Sequence, residues 1–167
     1  MLLALSHLDS PVGRLVFAAD EATLHALEFF ESEDQLRGKL ERSLPEARFE
    51  NGGVPRFVVD ALQAYFSGDV AALEGVRAEG AGTPFQRKVW TALRTVAPGR
   101  TTSYRAIAEA IGHPKAVRAV GAANGQNPIA LVVPCHRVIA ADGTLCGYGG
   151  GLWRKEWLLR HEGAILA

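Results

Sequence analysis

The sequence predicts an α+β protein: a small antiparallel sheet with helices, then a mostly helical, winged-helix-like part that contains a helix-turn-helix. Two observations support this fold class. Short apolar segments separated by turn residues fill the first 30 residues, whereas apolar residues recur at helical spacing after residue 83. The composition changes at Glu79–Gly82, which we take as the boundary between an N-terminal domain, residues 1–80, and a C-terminal domain, residues 81–167.

Composition places the chain among soluble globular proteins. Its 167 residues are 48% hydrophobic and 22% charged, which is enough for a buried core. Two cysteines are too few for a disulfide scaffold and suggest a reducing compartment. The N-terminal segment lacks a cationic leader, and no apolar run is long enough to span a bilayer. We therefore expect a cytoplasmic protein that does not bind a membrane.

Charge is divided unevenly between the two domains. Residues 1–80 carry 7 Lys and Arg against 14 Asp and Glu, whereas residues 81–167 carry 11 against 4. The net charge therefore changes from −7 to +7, which suggests that the C-terminal domain binds an anionic partner. Two oppositely charged halves that dock on each other are the alternative.

The N-terminal domain is predicted to contain three strands and two helices. The strands cover Leu2–Leu8, Arg14–Ala19 and Thr23–Phe30. Ser32 and Gln35 form a capping box that opens a helix to about Arg42. We expect a loop over 44–53, a helix over Pro55–Phe66 and an irregular strand over Val70–Ala78. His7 and His25 have no further ligand at metal spacing, so no metal site is expected.

The C-terminal domain begins with three predicted helices. Thr83 is suited to the N-cap of the first helix, with proline next and a glutamine that completes a capping box. Tyr104–Ile111 and Lys115–Asn124, joined by a turn over residues 112–114, have the helix-turn-helix outline. The surface of the last helix has small residues around Arg118. They would let the helix approach a duplex closely, but an alanine-rich core helix with one solvated arginine explains the same residues equally well.

The segment Val133–Val138, with the sequence VPCHRV, contains the side chains that make a thiol reactive. The neighbouring imidazole can take the proton of Cys135, and the guanidinium of Arg137 favours the thiolate. Pro134 favours an extended backbone, in which Cys135 and His136 point to opposite faces. His136 would then act through a water or a local bend. A buried structural cysteine that precedes a histidine is the alternative.

A glycine-rich loop follows this segment. Asp142-Gly143 predicts a hairpin turn, and Gly147–Gly151 is a stretch whose backbone can approach a ligand closely. Tyr148 within it suggests a pocket wall, and a flexible connector is the alternative. The last predicted helix covers Leu152–His161.

Together these motifs resemble the O6-alkylguanine-DNA alkyltransferases, also called methylated-DNA–protein-cysteine methyltransferases. The segment Val133–Ile139 is similar to the active-site signature of that family. The resemblance covers most of residues 83–163, through Thr83–Gln86, Thr102–Tyr104, Arg118–Gly121, Asn127-Pro128, Gly147-Tyr148, Lys155–Leu159 and His161–Gly163. The acidic N-terminal domain fits the family only in length and in the order of its strands and helices.

The resemblance implies single-turnover repair of double-stranded DNA that contains O6-alkylguanine, by a monomer without cofactor or metal. The thiolate of Cys135 would take the alkyl group, and Glu162 would orient His136, which takes the thiol proton through water. Asn127 would be a hinge between the DNA-binding helices and the active-site segment.

The resemblance also implies how the alkylated base is held. Base flipping would deliver it to a pocket formed by Tyr104, Val138, Tyr148 and Gly149. Tyr104 would donate to the guanine ring and the Gly149 N–H to O6, while the carbonyls of Cys135 and Val138 receive the exocyclic amine. Arg118 would fill the vacated space, with the second helix in the minor groove and further contacts from Lys115, Ala116 and Gly121.

Four positions depart from the family pattern. Gly149 replaces a small side-chain residue that is common in relatives, and we expect little loss because its role uses the backbone. Gln126 stands where many relatives carry a basic residue, and Ala130 lacks a ring that some relatives have, which would widen the pocket. Cys146 is not a motif residue, and we interpret it as a bystander rather than a minor alkylation site because no basic residue adjoins it in sequence. Two other functions stay open: a sensor that binds alkylated guanine without chemistry, and a cysteine hydrolase or acyltransferase.

Overall fold

The structure is a computed structural model that describes residues 1–166, without the side chain of Asn51. The chain divides into two compact units. The first consists of Met1–Ala81 and Pro128–Val132, and the second of Gly82–Asn127 and Val133–Ala167. No pattern in the sequence indicates that a short segment from the later part of the chain belongs to the first unit.

The first unit is built on a four-stranded sheet with the order β3-β2-β1-β4. Its strands are β1 (Leu2–Ser10), β2 (Gly13–Ala19), β3 (Leu24–Glu28) and β4 (Arg48–Asn51). The three strands predicted from the sequence pair antiparallel. The loop predicted over 44–53 was wrong, because β4 lies there and pairs parallel to β1, which makes the sheet mixed. A four-residue strand with one partly buried apolar residue, Phe49, has too weak an alternation to be predicted.

Helix α1 (Glu33–Ser43) contacts β1 and β2, and its capping box at Ser32 and Gln35 is present as predicted. The core beneath it is formed by Leu3, Leu5, Val16, Ala18, Ala26, Leu36 and Leu40. Helix α2 (Arg56–Phe66) is followed by a 3-10 helix, Ala72–Gly75. The irregular strand predicted over 70–78 was wrong, because the buried residues Leu73 and Val76 are three apart, which suits 3-10 geometry.

Two segments cover the outer edge of β3. The Leu24 N–H donates to the Arg77 carbonyl at 2.8 Å, and the Leu27 N–H donates to the Pro128 carbonyl at 3.0 Å. The Ala130 N–H donates to the Leu27 carbonyl at 2.9 Å. These bonds satisfy backbone groups that an open edge would offer to another chain.

The second unit contains α3 (Pro84–Leu93), α4 (Tyr104–Ala110), α5 (Val117–Gly125) and α6 (Leu152–His161). The predicted capping box of α3 is present, and the Trp90 indole donates to the Ala123 carbonyl of α5 at 2.9 Å. Helix α5 begins two residues later than predicted, because the Ala116 N–H closes a turn on the His113 carbonyl at 2.9 Å. No helix in the described residues combines the length and the apolar character that crossing a membrane requires.

Candidate active site

Cys135 lies in a short 3-10 turn, Cys135–Arg137, rather than in the extended chain that we predicted. The Arg137 N–H donates to the Pro134 carbonyl at 3.0 Å, and the Val138 N–H donates to the Cys135 carbonyl at 3.3 Å. The prediction was wrong because proline restricts itself and the residue before it, whereas the turn lies after Pro134. The turn is the local bend that sequence reasoning had offered as one way to bring His136 into use.

Thr102 ties this turn to the start of α4. Its N–H donates to the Arg137 carbonyl at 2.8 Å, and its carbonyl accepts from the Ile139 N–H at 2.9 Å. Because Tyr104 is the first residue of α4, these two bonds fix the backbone of Tyr104 relative to the turn that carries Cys135.

The Cys135 thiol is buried and in contact with Asn127. The Asn127 Nδ2 donates to Cys135 Sγ at 3.1 Å and to the Val133 carbonyl at 2.8 Å. Burial raises the pKa of Cys135, against the hydrogen bond from Asn127 and the charge of Lys155, which lower it. The thiol therefore keeps its proton at neutral pH, and a nucleophilic reaction of Cys135 needs a base.

His136 has the properties of that base. Its Nε2 lies 2.8 Å from Glu162 Oε2, and both side chains are fully buried. Burial lowers the pKa of His136 despite the opposing effect of Glu162, so the imidazole is neutral. With its proton on Nε2 beside the carboxylate, Nδ1 carries the lone pair. Within residues 1–166, no group hydrogen-bonds to Nδ1, which is therefore able to accept a proton.

Glu162 is held by a second partner, Arg137. The Arg137 Nε donates to Glu162 Oε1 at 2.9 Å, Nη2 donates to Oε2 at 3.0 Å, and Nη1 donates to the Val96 carbonyl at 2.7 Å. Burial alone would raise the pKa of Glu162, but hydrogen bonds and charges from His136 and Arg137 outweigh it and lower the pKa to about 2. Arg137, which we expected to favour the Cys135 thiolate, is thus paired with Glu162.

Lys155 is the cation that acts on Cys135. It is 1% exposed, and its Nζ donates to the Val138 carbonyl, to the Cys146 carbonyl at 3.1 Å and to Cys146 Sγ at 3.7 Å. Burial lowers the pKa of Lys155, whereas the charges of Cys146 and Cys135 raise it. Cys146, which has no basic neighbour in sequence, therefore has an ammonium group beside it in the fold.

Tyr104 packs against α5. A Cβ placed at Gly121 would lie 3.7 Å from the Tyr104 ring, which is an ordinary van der Waals distance. The side chains of Asn124 and Cys146 have opposite effects on the pKa of Tyr104, which Asn124 lowers and Cys146 raises. Burial, above all, raises the pKa of Tyr104, so its hydroxyl stays a neutral hydrogen-bond donor at physiological pH.

Helix α5 presents two different faces. Val120, Ala123 and Asn124 are buried, whereas Arg118, Ala119 and Ala122 are exposed. Within residues 1–166, Arg118 makes no hydrogen bond or ion pair. The buried face fits the interpretation as an alanine-rich core helix, and approach of the exposed face to a duplex stays a prediction. We call Arg118, Ala119, Ala122 and the exposed Lys115 of the preceding turn the α5 surface.

The loop after Cys135 keeps its glycines accessible. The predicted turn forms, since Asp142 accepts from the Thr144 N–H at 3.0 Å and Gly143 has φ +87°. Burial, together with the charge of Cys135, raises the pKa of Tyr148 well above its ordinary value. Gly149 is exposed, and a Cβ there would meet nothing within 4 Å, so the loop has open space at this residue.

The structure brings together the residues predicted to carry chemistry. We call the following set the buried cluster: Cys135, His136, Arg137, Glu162, Asn127 and Lys155. Tyr104 and Val138 adjoin it through Cys146 and Lys155. Arg118, Lys115 and Ala116 are not part of the cluster and lie on or beside the exposed face of α5.

Sequence reasoning missed Lys155 and Asn124 as residues that act on members of the site. Lys155 shares the buried face of α6 with Leu158 and Leu159 at helical spacing, and a lysine in an apolar stripe is a signal that we did not use. Asn124 follows Ala123 on the buried face of α5, and nothing in the sequence indicates its effect on the pKa of Tyr104.

Two protein-family models match the chain. The model described as 6-O-methylguanine DNA methyltransferase, DNA binding domain, matches residues 84–164. The model described as 6-O-methylguanine DNA methyltransferase, ribonuclease-like domain, matches residues 4–77. The methylated-DNA–protein-cysteine methyltransferase of Salmonella typhimurium is 45% identical over 160 residues, which cover 94% of each chain.

Solved structures with the same fold come from Mycobacterium tuberculosis. Its O6-methylguanine methyltransferase superposes with a TM-score of 0.77 at 40% identity, covering 96% of this chain and 93% of that one. The M. tuberculosis OGT in complex with DNA superposes with a TM-score of 0.76 at 40% identity, covering 98% and 93%. The α+β fold predicted from the sequence is thereby confirmed.

Proposed function

Because the chain belongs to the O6-methylguanine DNA methyltransferase family, with methylated-DNA–protein-cysteine methyltransferase activity, we propose that Cys135 accepts the alkyl group and that each molecule acts once. The substrate is O6-alkylguanine in double-stranded DNA. The observation that carries the proposal is that Cys135, His136 and Glu162 are all buried, with His136 next to Cys135 and hydrogen-bonded to Glu162. The DNA complex of the M. tuberculosis relative supports DNA as the partner.

The chemical step is an in-line displacement at the alkyl carbon. His136 Nδ1 takes the thiol proton of Cys135 through a bridging water, and Glu162 stabilises the resulting imidazolium. The thiolate then forms a bond from sulfur to the alkyl carbon as the bond from that carbon to guanine O6 breaks. The electron pair stays on the guanine, where hydrogen bonds from the Tyr104 hydroxyl and the Gly149 N–H support the departing base.

The positive charges of the cluster assist different parts of this step. Arg137 keeps Glu162 ionised, so Glu162 holds His136 in one tautomer and does not itself take the proton. Lys155 and Asn127 act on sulfur directly and stabilise the thiolate once His136 has removed the proton. The product is a thioether, and no group of the cluster is suited to cleave a carbon–sulfur bond, which explains why each molecule acts once.

The alkylated base has to leave the duplex before it can reach a thiol that is 8% exposed. The α5 surface is suited to this task, because its small residues permit close approach to the duplex and Arg118 has no partner in the described protein. Arg118 therefore fills the space that the extruded base leaves, with α5 in the minor groove. Lys115 contacts phosphate, and binding depends strongly on salt.

Intact-protein mass spectrometry tests the proposal. The wild-type chain, Cys135→Ser and the matched control Cys146→Ser are each mixed with duplex DNA that contains O6-methylguanine. We expect one methyl group per wild-type and C146S molecule, mapped to Cys135, and none for C135S. Tight binding without a mass change would support the sensor instead, and repeated turnover of an ester would support the hydrolase.

A further inference from the structure

Lys155 is a buried ammonium group that is not paired with a carboxylate. It is 1% exposed, and it forms no ion pair within the described part of the chain. A buried charge is costly unless hydrogen bonds satisfy it, so the contacts of its hydrogens indicate what the group does. None of these hydrogens is donated to Cys135 in residues 1–166. The charge of Lys155 acts on the thiol, but this action does not explain where its hydrogens point.

The three hydrogens of the ammonium group have three acceptors on one loop. The Lys155 Nζ donates to the Val138 carbonyl, to the Cys146 carbonyl at 3.1 Å and to Cys146 Sγ at 3.7 Å. Val138 follows the turn that carries the reactive cysteine, and Cys146 lies eight residues later, just before the glycine-rich loop. Lys155 therefore fastens both ends of the intervening segment to α6.

The peptide group between Val138 and Ile139 is held on both sides. Its N–H, on Ile139, donates to the Thr102 carbonyl at 2.9 Å. Its carbonyl oxygen, on Val138, accepts from Lys155. The N–H and the C=O of a peptide share one plane, so two bonds on opposite sides prevent that plane from rotating. Lys155 thereby fixes the direction in which the Val138 oxygen presents its lone pairs.

One acceptor position of the Val138 oxygen is held only weakly. A carbonyl oxygen has two lone pairs, and Lys155 takes one of them. The other contact is the Cys146 thiol, at 3.8 Å from sulfur to oxygen, and a thiol is a weak donor. An amine N–H is a stronger donor and would displace the thiol while the bond from Lys155 stays in place.

We propose that Lys155 is a positioning residue, which orients the Val138 carbonyl to accept the exocyclic amine of the extruded alkylguanine. This inference rests on the proposed function, because it assigns Lys155 a part in recognising the base. Lys155 acts through the Val138 carbonyl and does not need to touch the base. Entry of the base replaces the Cys146 contact by a hydrogen bond from the amine, and no covalent bond changes.

A substrate without the exocyclic amine tests this role. Second-order rate constants of methyl transfer are measured under single-turnover conditions, from duplex DNA that contains either O6-methylguanine or O6-methylhypoxanthine. We expect wild type to prefer the guanine about tenfold, and Lys155→Met to prefer it less than about twofold. The lost charge beside Cys135 slows both reactions equally and cancels in this ratio. A wild-type ratio in K155M would overturn the proposal.

Two further variants separate the geometry of Lys155 from its charge. Lys155→Arg keeps the charge, but a planar guanidinium cannot donate to the same acceptors from one point, so the preference should fall below about threefold. This variant also provides the test if K155M does not fold. Cys146→Ala, the matched control, leaves both carbonyl contacts of Lys155 in place and should keep the wild-type ratio. A full preference in K155R, or its loss in C146A, would contradict the proposal.

Amide hydrogen exchange without DNA keeps this inference distinct from the proposed function. We expect the Ile139 and Ala140 amides to exchange about tenfold faster in K155M and at the wild-type rate in C146A. The amides of α1 should be unchanged, which excludes a general loss of stability. If the Ile139 amide is unaffected in K155M, the inference fails whatever the DNA result. If its exchange is faster but wild type transfers no methyl group from O6-methylguanine, the proposed function fails and the contact of Lys155 with the backbone stands.

Discussion

The buried cluster and the α5 surface belong to the same unit, but their side chains are organised in opposite ways. In the buried cluster, charged groups have fixed partners: Arg137 uses three nitrogens, and Glu162 uses both oxygens. On the α5 surface, alanines surround Arg118, which has no partner within the described chain. A catalytic site requires side chains that are held in a fixed geometry. A surface that docks on a duplex instead requires small side chains and a cation without an intramolecular partner.

The largest effect is expected where the buried cluster loses its central carboxylate. Glu162→Gln leaves the Arg137 charge buried without a counter-charge, so the free energy of unfolding at pH 7 should fall by about 3 kcal/mol. Transfer should slow at least 100-fold, on the order expected for loss of an oriented base. Urea unfolding and single-turnover rates measure the two effects.

The pH dependence of this variant has a defined sign. The pKa of Glu162 is lowered to about 2 in the folded chain, so its contribution to stability is complete above about pH 4.5 and is lost as the pH falls towards 2. The stability difference between wild type and E162Q should shrink over that interval. Glu156→Gln, the same change in an exposed pair on α6, is the control and should cost less than about 1 kcal/mol. Equal losses for both variants would contradict the comparison.

The next effect concerns the proton of Cys135. In wild type, neutral His136 removes it, so the transfer rate should change little with pH near neutrality. In His136→Gln, the solvent has to remove a proton from a thiol whose pKa is raised, so the rate should rise about tenfold per pH unit. Single-turnover rates between pH 6 and 9 provide the test, with the exposed His7→Gln as the control. Parallel profiles for H136Q and wild type would exclude His136 as the base.

The smallest effect is expected on the α5 surface. Arg118→Ala should slow transfer from duplex DNA about tenfold, because the extruded base loses the group that replaces it in the stack. Transfer from free O6-benzylguanine should be unchanged, since no duplex has to be opened. Lys115→Ala, the matched control, should weaken DNA binding in a salt-dependent way but leave the transfer rate at saturating duplex DNA unchanged, whereas R118A is slow even at saturation. An equal loss for R118A on both substrates would place Arg118 in the chemistry.

Partners that lie close in sequence could be predicted from the residues themselves, whereas the pairing of His136 with Glu162 was expected only from the family resemblance. Cys135 and His136 were assigned from the motif, and the capping box of α3 from Thr83 and Gln86. The pairing of Arg137 with Glu162 depends on side chains 25 residues apart, and the sequence suggested the neighbouring thiolate instead. Proximity in the chain is therefore a poor guide to which cation acts on which anion.

The missed elements have weak local signals. Strand β4 pairs in parallel with the edge of β1, and the four residues of β4 show little alternation of apolar and polar residues. Lys155 of α6 contacts Cys146, which lies in the loop after Cys135. The path of such an irregular loop cannot be predicted from hydrophobic periodicity. Asn124 was missed for the same reason, since Tyr104, whose pKa it lowers, lies on the preceding helix.

The segment Pro128–Val132 has a consequence for how such a protein can evolve. The chain crosses from the second unit to complete an edge of the sheet in the first, and then returns to carry the reactive cysteine. A gene fusion or truncation that separates the units at residue 81 would therefore remove part of the first unit along with the second. Recombination between relatives at residue 81 would likewise combine a first unit from one sequence with a Pro128–Val132 segment from another.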